Sequence, residues 1–299
     1  MKSPVGVIGL GSMGSGIARN LVKAGFDVWV YDVRPELTQQ LVAEGAHAAV
    51  SPQDLGTKST FVFTVLLNYS QIQEAVLNAG GVLTGMQPGT TLSICSTISP
   101  AEVRSAGETA AARGVRLLDS PMSGGIRGAQ SGSLTLMIGG DPQVFEAARP
   151  ILQAVAKNLY LCGKNLGDGQ TVKMINQLLV TVGFIATAEA VVLAEKSGLD
   201  LSLVHEAIKN SAGDSWVWRD KLPLIMARDF AARGALDIQI KDMNVVLETS
   251  QRLGVPLLLG ALAHQVNLIA QSKGLGREDA SAVVKLVEEW ASFPSPLSR

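Results

Sequence analysis

A chain of 299 residues is long for one core and natural for two domains. At 47% hydrophobic, 17% charged and 5% aromatic it reads as an aliphatic globular protein, which excludes disorder, and a formal net charge of -1 supplies no global field for nucleic acid or an anionic membrane. Two cysteines exclude a disulfide framework, and the three histidines, His47, His205 and His264, lack metal-ligand spacing, so no metal site is expected.

The opening stretch MKSPVGVIGLGSMG is apolar like a signal segment but has no cleavage site. It predicts a first strand, VGVIGL, running into a glycine turn. Further strands are predicted at FDVWVYD, STFVFTVL, TTLSICS, VRLLDS, LTLMIGG and NLYLCG, with helices over 14–24, 35–44, 70–78, 100–112 and 142–155. Continuous apolar strands separated by helices predict a parallel sheet covered on both faces. Cys95 and Cys162 each fall in an apolar strand run and are expected to be buried free thiols.

Within this half, Gly9, Gly11 and Gly14 have G-x-G-x-x-G spacing between a predicted strand and a predicted helix. Gly9 allows the tight turn, Gly11 lets the backbone approach a pyrophosphate, and Gly14 lets the helix pack close to the strand. The helix N-terminus offers free N–H groups to the phosphates. The turn Gly9, Leu10, Gly11, Ser12, Met13 and Gly14 is therefore the expected cofactor cradle, with Gly16 adding close helix packing. Asp32 ends the second strand, 18 residues after Gly14, where an acid accepts hydrogen bonds from the adenosine ribose hydroxyls and repels a 2′-phosphate. NAD is thus expected over NADP, although Arg34 is placed to pair with that phosphate.

From 168 to 198 the chain forms one long proline-free segment with Gly198 as its stop and Asp200 as an N-cap for the next helix. Helices are predicted over 201–211, 215–228, 237–253, 256–273 and 277–291, and the tail SFPSPLSR is expected to fray or drape. The domains are placed at 1–165 and 166–299, the second all-helical. At the start of the long helix, Lys173, Asn176 and Gln177 share one face.

Four motifs occur in order along nearly the whole chain: GLGSMGSGIARNLVKAG at 9–25, DSPMSGGIRGAQSGSLTLMIGG at 119–140, GDGQTVKMINQ at 167–177 and IKDMNVV at 240–246. Together they resemble the β-hydroxyacid dehydrogenase family. The resemblance implies an α/β fold, an N-terminal Rossmann doubly wound sheet that binds NAD followed by an all-helical C-terminal domain for substrate and dimerisation. It implies that Ser123, Gly124 and Gly125 hold the substrate carboxylate, a role that a hydroxyl and backbone N–H groups in a glycine-rich turn suit. It places Thr97 beside the nicotinamide, although Thr97 equally suits a helix start before Pro100. Leu66, Leu67 and Asn68 match a cofactor-contacting loop, with Leu67 where many relatives have proline. Lys173 matches the catalytic lysine, Asn176 the amide that orients the substrate, and Lys241 a lysine that reaches the active site and cofactor, supported by Asp242.

Interconverting an alcohol and a carbonyl with NAD needs a hydride transfer and a positioned acid/base. The histidines lie outside every motif, which leaves Lys173. A free lysine titrates at about 10.4, and burial disfavours its charged form. The expected substrate is a small hydroxy acid. NSAGDSWVWRDKLP at 210–223 is similar to an element of L-threonate dehydrogenases, Trp216 and Trp218 are candidates to wall the site, and Gln177 is a candidate for an additional substrate hydroxyl. The leaning is thus to a four-carbon acid such as L-threonate, its 2-hydroxyl oxidised to a ketone. Alternatives are 3-hydroxyisobutyrate, reduction of a short semialdehyde such as tartronate semialdehyde, and a non-catalytic NAD-binding regulator. A cytoplasmic homodimer or homotetramer is expected, with the apolar helix from 172 to 194 packing partly on a partner subunit, and no nucleic-acid or membrane partner.

Overall fold

Each of the apolar runs of the first half forms a strand, and two two-residue strands join them. The structure, a computed structural model, describes residues 3–292, so the tail from residue 293 on lies outside the described residues. The elements are β1 (Val5–Ile8), α1 (Ser12–Lys23), β2 (Val28–Tyr31), α2 (Pro35–Ala43), β3 (His47–Ala48), α3 (Pro52–Lys58), β4 (Phe61–Thr64), α4 (Tyr69–Ile72), α5 (Val82–Gly85), β5 (Thr91–Ile94), α6 (Pro100–Ala111), β6 (Arg116–Asp119), β7 (Met122–Ser123), α7 (Gly125–Ser131), β8 (Leu134–Gly139), α8 (Pro142–Leu152) and β9 (Ala156–Gly163). α4 runs on into a π-turn at Gln73–Leu77.

One sheet has the order β3-β2-β1-β4-β5-β6-β8-β7, with β9 also on β8. From β3 to β6 every pairing is parallel. This order, reversing between β1 and β4, is that of a dinucleotide-binding doubly wound sheet. Beyond β6 the all-parallel expectation needs correcting, because β8 runs antiparallel to β6 and β7. After β6 the chain turns into β7, makes the short α7 and returns as β8. That is a hairpin-type reversal, not a helical crossover over the sheet.

Alternation along the strands fills two cores. Val5, Val7, Phe61, Phe63 and Leu118 face one, with Ile17, Leu21 and Phe145 from α1 and α8. Ile8, Val62, Leu92 and Leu117 face the other, with Leu55, Leu83 and Val103 from α3, α5 and α6. Each such side chain contributes about 1.5–3 kcal/mol on burial. β9 pairs only with β8 and leaves its outer side uncovered. Cys95 is buried as expected, but Cys162, on β9, is only partly so.

The second half comprises α9 (Asp168–Lys196), α10 (Leu201–Lys209), α11 (Trp216–Met226), α12 (Leu236–Arg252), α13 (Leu258–Ser272) and α14 (Val283–Trp290), with 3₁₀ turns at Leu275–Arg277 and Ala280–Ala282. The Asp200 side chain caps α10, accepting from the Ser202 N–H at 2.9 Å. The chain divides into two compact units, Met1–Lys173 and Met174–Arg299. The division lies inside α9 because the first turn of that helix packs on β8: a Cβ on Gly169 would stand 2.3 Å from the Met137 carbonyl oxygen. By length and composition alone α9 also suits a membrane span. Within the second unit, however, Phe184, Ile185, Ala188, Val191 and Val192 form a core with Leu222, Leu236, Ile240 and Val283. Asp279, fully buried, ties that unit together by accepting from Lys221 Nζ at 3.2 Å and from the N–H groups of Arg233, Gly234 and Ser281.

Candidate active site

In a parallel sheet the loops leaving the C-terminal ends of the strands share one edge, and ligands bind where the strand order reverses. Here those loops carry Gly9–Gly14 after β1, Asp32 after β2, Leu66–Asn68 after β4 and Thr97 after β5. The glycines of the first loop differ in what they meet. Gly9 has φ +89°, and a Cβ there would stand 2.3 Å from the Val65 carbonyl oxygen. A Cβ on Gly14 would stand 1.8 Å from the Gly9 carbonyl oxygen. Gly16 is the contact between α1 and α7, where a Cβ would meet the Ala129 backbone at 2.7 Å. Gly11 has no such neighbour: only Arg34 Nη2 comes as near as 4.0 Å. The bare backbone at Gly11 therefore serves no internal packing, and it N-caps α1, which has no side-chain cap and no acid in its first turn. That combination fits a dinucleotide's pyrophosphate. Of the other turn residues, Leu10 is fully buried, Ser12 is exposed and Met13 packs against the sheet.

Asp32 fixes this turn from below. Its Oδ2 accepts the Leu10 N–H at 2.7 Å, and its Oδ1 accepts the Arg34 N–H at 2.9 Å and Arg34 Nε at 3.1 Å. Burial pushes the carboxyl upward, but the guanidinium and the two N–H groups outweigh it and hold Asp32 below the usual carboxylate range. The acid is thus ionised, with a half-exposed arginine folded onto it.

The next loops are linked by side chains that sequence reasoning did not single out. Ser96 Oγ accepts the Leu66 N–H at 3.2 Å. Gln170, fully buried in the first turn of α9, accepts the Ile98 N–H at 3.2 Å through Oε1 and donates Nε2 to the Ser96 carbonyl at 2.9 Å. Thr97 is the residue enclosed between those two bonds. It is not the helix cap, because Ser99 forms the capping box of α6 with Glu102. Asn68 caps α4 by accepting from the Gln71 N–H, and Leu67, half-exposed, donates its N–H to Gln71 Oε1. Asp119, at the end of β6, accepts the N–H groups of Gly167 at 3.1 Å and Gln170 at 2.9 Å. Burial raises its carboxyl to about 7 against the lowering effect of those N–H donors. The signals available for these residues were an aspartate at a strand end and a glutamine three places before Lys173.

Ser123 closes β7, and Gly124 and Gly125 follow with φ +120° and +59°. Two successive positive-φ residues suit glycine alone and turn the chain sharply from β7 into α7. Lys173 lies in the second turn of α9 and is 8% exposed. Asn176 and Gln177, on the same helix, belong to the second unit. There Asn176 Nδ2 donates to Gln177 Oε1 at 2.9 Å, Gln177 Nε2 donates to Asp242 Oδ2 at 2.5 Å, and Lys241 Nζ pairs with Asp242 Oδ1 at 2.8 Å. The expected support of Lys241 by Asp242 has this contact behind it, and both ends of the Gln177 amide are engaged within the chain. In the 210–223 stretch, Ser215 caps α11, Asp214 pairs with Arg219, Trp218 is buried and Trp216 is exposed.

Comparison with known proteins fits this arrangement. Residues 4–163 match the NAD binding domain of 6-phosphogluconate dehydrogenase, and residues 167–287 match the family described as NAD-binding of NADP-dependent 3-hydroxyisobutyrate dehydrogenase. The chain is 38% identical to an L-threonate dehydrogenase of Cupriavidus necator over 286 residues, covering 96% of each. It is 37% identical to a 2-(hydroxymethyl)glutarate dehydrogenase of Eubacterium barkeri, covering 95% of each. A crystal structure of 3-hydroxyisobutyrate dehydrogenase from Salmonella typhimurium superposes with a TM-score of 0.87 at 35% identity, over 95% of this chain and 100% of that one. The chain belongs to the β-hydroxyacid dehydrogenase family, NAD(P)-dependent oxidoreductases of an N-terminal Rossmann-type domain and a helical C-terminal domain.

Proposed function

We propose that this enzyme is an NAD-dependent dehydrogenase of a small hydroxy acid, L-threonate first, with Lys173 as its general acid/base. The observation that carries the chemistry is the burial of a lysine, 8% exposed, near the start of a largely apolar helix. A primary amine held out of bulk water can act as a general acid/base toward a bound hydroxyl. When bound, the nicotinamide supplies the acceptor for the hydride leaving C2 of the acid. Lys173 Nζ takes the 2-hydroxyl proton as the carbonyl forms, and returns it in the reverse direction. Ser123 and the N–H groups at Gly124 and Gly125 hold the carboxylate. Asn176 orients the reacting oxygen or its neighbour, and Lys241 serves the cofactor.

NAD is favoured over NADP because Asp32 is ionised where the adenosine ribose lies in this fold. The substrate preference is supported by the full-length similarity to L-threonate dehydrogenase. One observation favours 3-hydroxyisobutyrate as a second reading: Ser215, Asp214 and Gln177, polar groups suited to extra hydroxyls, are engaged in caps and pairs of the fold. Appearance of NADH with a panel of hydroxy acids separates these readings; L-threonate should give the highest kcat/KM. Lys173→Ala should lose about 10²–10⁴-fold in kcat, and near wild-type turnover with intact NAD binding would sink the assignment. We also propose at least a dimer, since Ile175 and Leu179 on α9 and Leu258, Leu259 and Leu262 on α13 are exposed leucines and isoleucine on helix faces. A monomeric mass by light scattering would exclude it.

A further inference from the structure

We propose that Gln170 is a positioning residue that fixes Lys173 relative to the Thr97 loop, with Asp119 anchoring the helix end on which both stand. The inference rests on the reading of Lys173 as the acid/base. Gln170 is fully buried and uses both ends of its amide on one loop, accepting from Ile98 N–H and donating to the Ser96 carbonyl. Those are the backbone groups on either side of Thr97. Ser96 in turn holds the Leu66 loop through its Oγ. One side chain thus joins the helix bearing Lys173 to two loops at the cofactor edge of the sheet.

The geometry makes the link stiff. Gln170 precedes Lys173 by three residues, about 4.5 Å along the helix axis, so any shift of the first turn is passed to the lysine. The turn is itself pinned on its other side, where Asp119 Oδ2 accepts the N–H groups of Gly167 and Gln170. Glycines at 139 and 169 make room for that carboxylate: a Cβ on either would stand 3.1 or 2.9 Å from Asp119 Oδ2. A side chain that only filled space would need neither the paired donor and acceptor nor their placement around Thr97. A displacement of about 1 Å in a reacting group costs on the order of 100-fold in rate.

The test uses the full-length enzyme and four variants: Gln170→Leu, Gln170→Glu, Lys173→Ala and Lys173→Ala with Gln170→Leu. Gln170→Leu should lower kcat on the order of 100-fold while the NADH dissociation constant changes little. Adding it to Lys173→Ala should cost nothing more, because its effect passes through the lysine. Gln170→Glu is nearly isosteric and keeps an oxygen to accept from the Ile98 N–H, so it serves as the second variant where leucine fails to fold. Only its protonated form both accepts from Ile98 and donates to Ser96, so its kcat relative to wild type should rise as pH falls; Asp119 and the Cys95 thiol, which face this region, are common to both proteins. Gln170 variants with wild-type kcat beside an inactive Lys173→Ala would overturn the inference alone. An equal loss from Gln170→Leu with and without Lys173 would do the same. Full activity in Lys173→Ala would remove the acid/base reading, and the inference with it.

Discussion

Asp119→Asn should flatten the dependence of stability on pH between about pH 4 and 7. The Asp119 carboxyl ionises at about 7 in the folded chain, against 3.8 for an ordinary aspartate, because burial opposes its charge. As pH rises past 3.8 the unfolded carboxyl loses its proton while the folded one keeps it, so the unfolded state is favoured across that window. Each tenfold change in the ionisation equilibrium is worth about 1.4 kcal/mol. At pH 5 the cost to the fold is on the order of 1–2 kcal/mol, and at pH 8, beyond both values, about 4 kcal/mol. Asparagine keeps an acceptor for Gly167 and Gln170 but has no charge to bury. Whatever the fixed cost of the exchange, the stability of the variant relative to wild type should therefore rise by about 3 kcal/mol from pH 5 to pH 8. The Cys95 thiol beside it, pushed up to about 12 by burial, stays neutral throughout and adds nothing. Burial holds the His264 imidazole below its ordinary value, and this group is common to both proteins. Denaturant unfolding at a series of pH values measures the difference directly. Parallel profiles for the two proteins would refute the reasoning.

Two contrasts complete the set. Gly14→Ala forces a Cβ to within 1.8 Å of the Gly9 carbonyl and should destabilise the glycine turn, whereas Gly11→Ala meets nothing nearer than 4.0 Å and should leave the melting temperature in place while NADH binding, read by fluorescence, weakens. Equal effects of the two on stability would count against Gly11 as the point of ligand approach. Arg34→Ala removes the one guanidinium paired with Asp32 and should raise the preference for NAD over NADP by about 10-fold, a charged hydrogen bond being worth about 1.5–3 kcal/mol; an unchanged ratio of kcat/KM values would show that Arg34 plays no part in the choice.

The strands were legible because a sheet covered on both faces demands continuous apolar runs, and Val5–Ile8 and Phe61–Thr64 are buried at every position. β3 and β7 were not, since two residues carry no period. α3, α5 and α7 were missed because glycine interrupts them and they are only one or two turns long. The reversal at β7 also escaped, as nothing in DSPMSGG distinguishes a crossover from a hairpin. In the site, the glycine turn and the acid at Asp32 are local in sequence and could be read from spacing. Gln170 meets Ser96 across 74 positions, and no local pattern announces that pairing.

Gln177 shows most clearly what spacing alone leaves out. Its place on the face of Lys173 and Asn176 suggests a side chain offered to a substrate, and its extra methylene over asparagine suggests longer reach. In the fold that reach goes inward, to Asp242, 65 positions away. A buried carboxylate is costly unless paired and hydrogen-bonded, and Asp242 has both, from Lys241 Nζ and Gln177 Nε2. Because Gln177 donates to Asp242, its own carbonyl is turned to accept from Asn176 Nδ2, which leaves the Asn176 carbonyl oxygen outside this network. An acceptor is what a substrate hydroxyl requires. Under the proposed reading, then, Gln177 acts on substrate choice by setting which end of Asn176 is presented, and the same aspartate orients Lys241. One buried carboxylate in the second unit thereby fixes the direction of both Gln177 and Lys241.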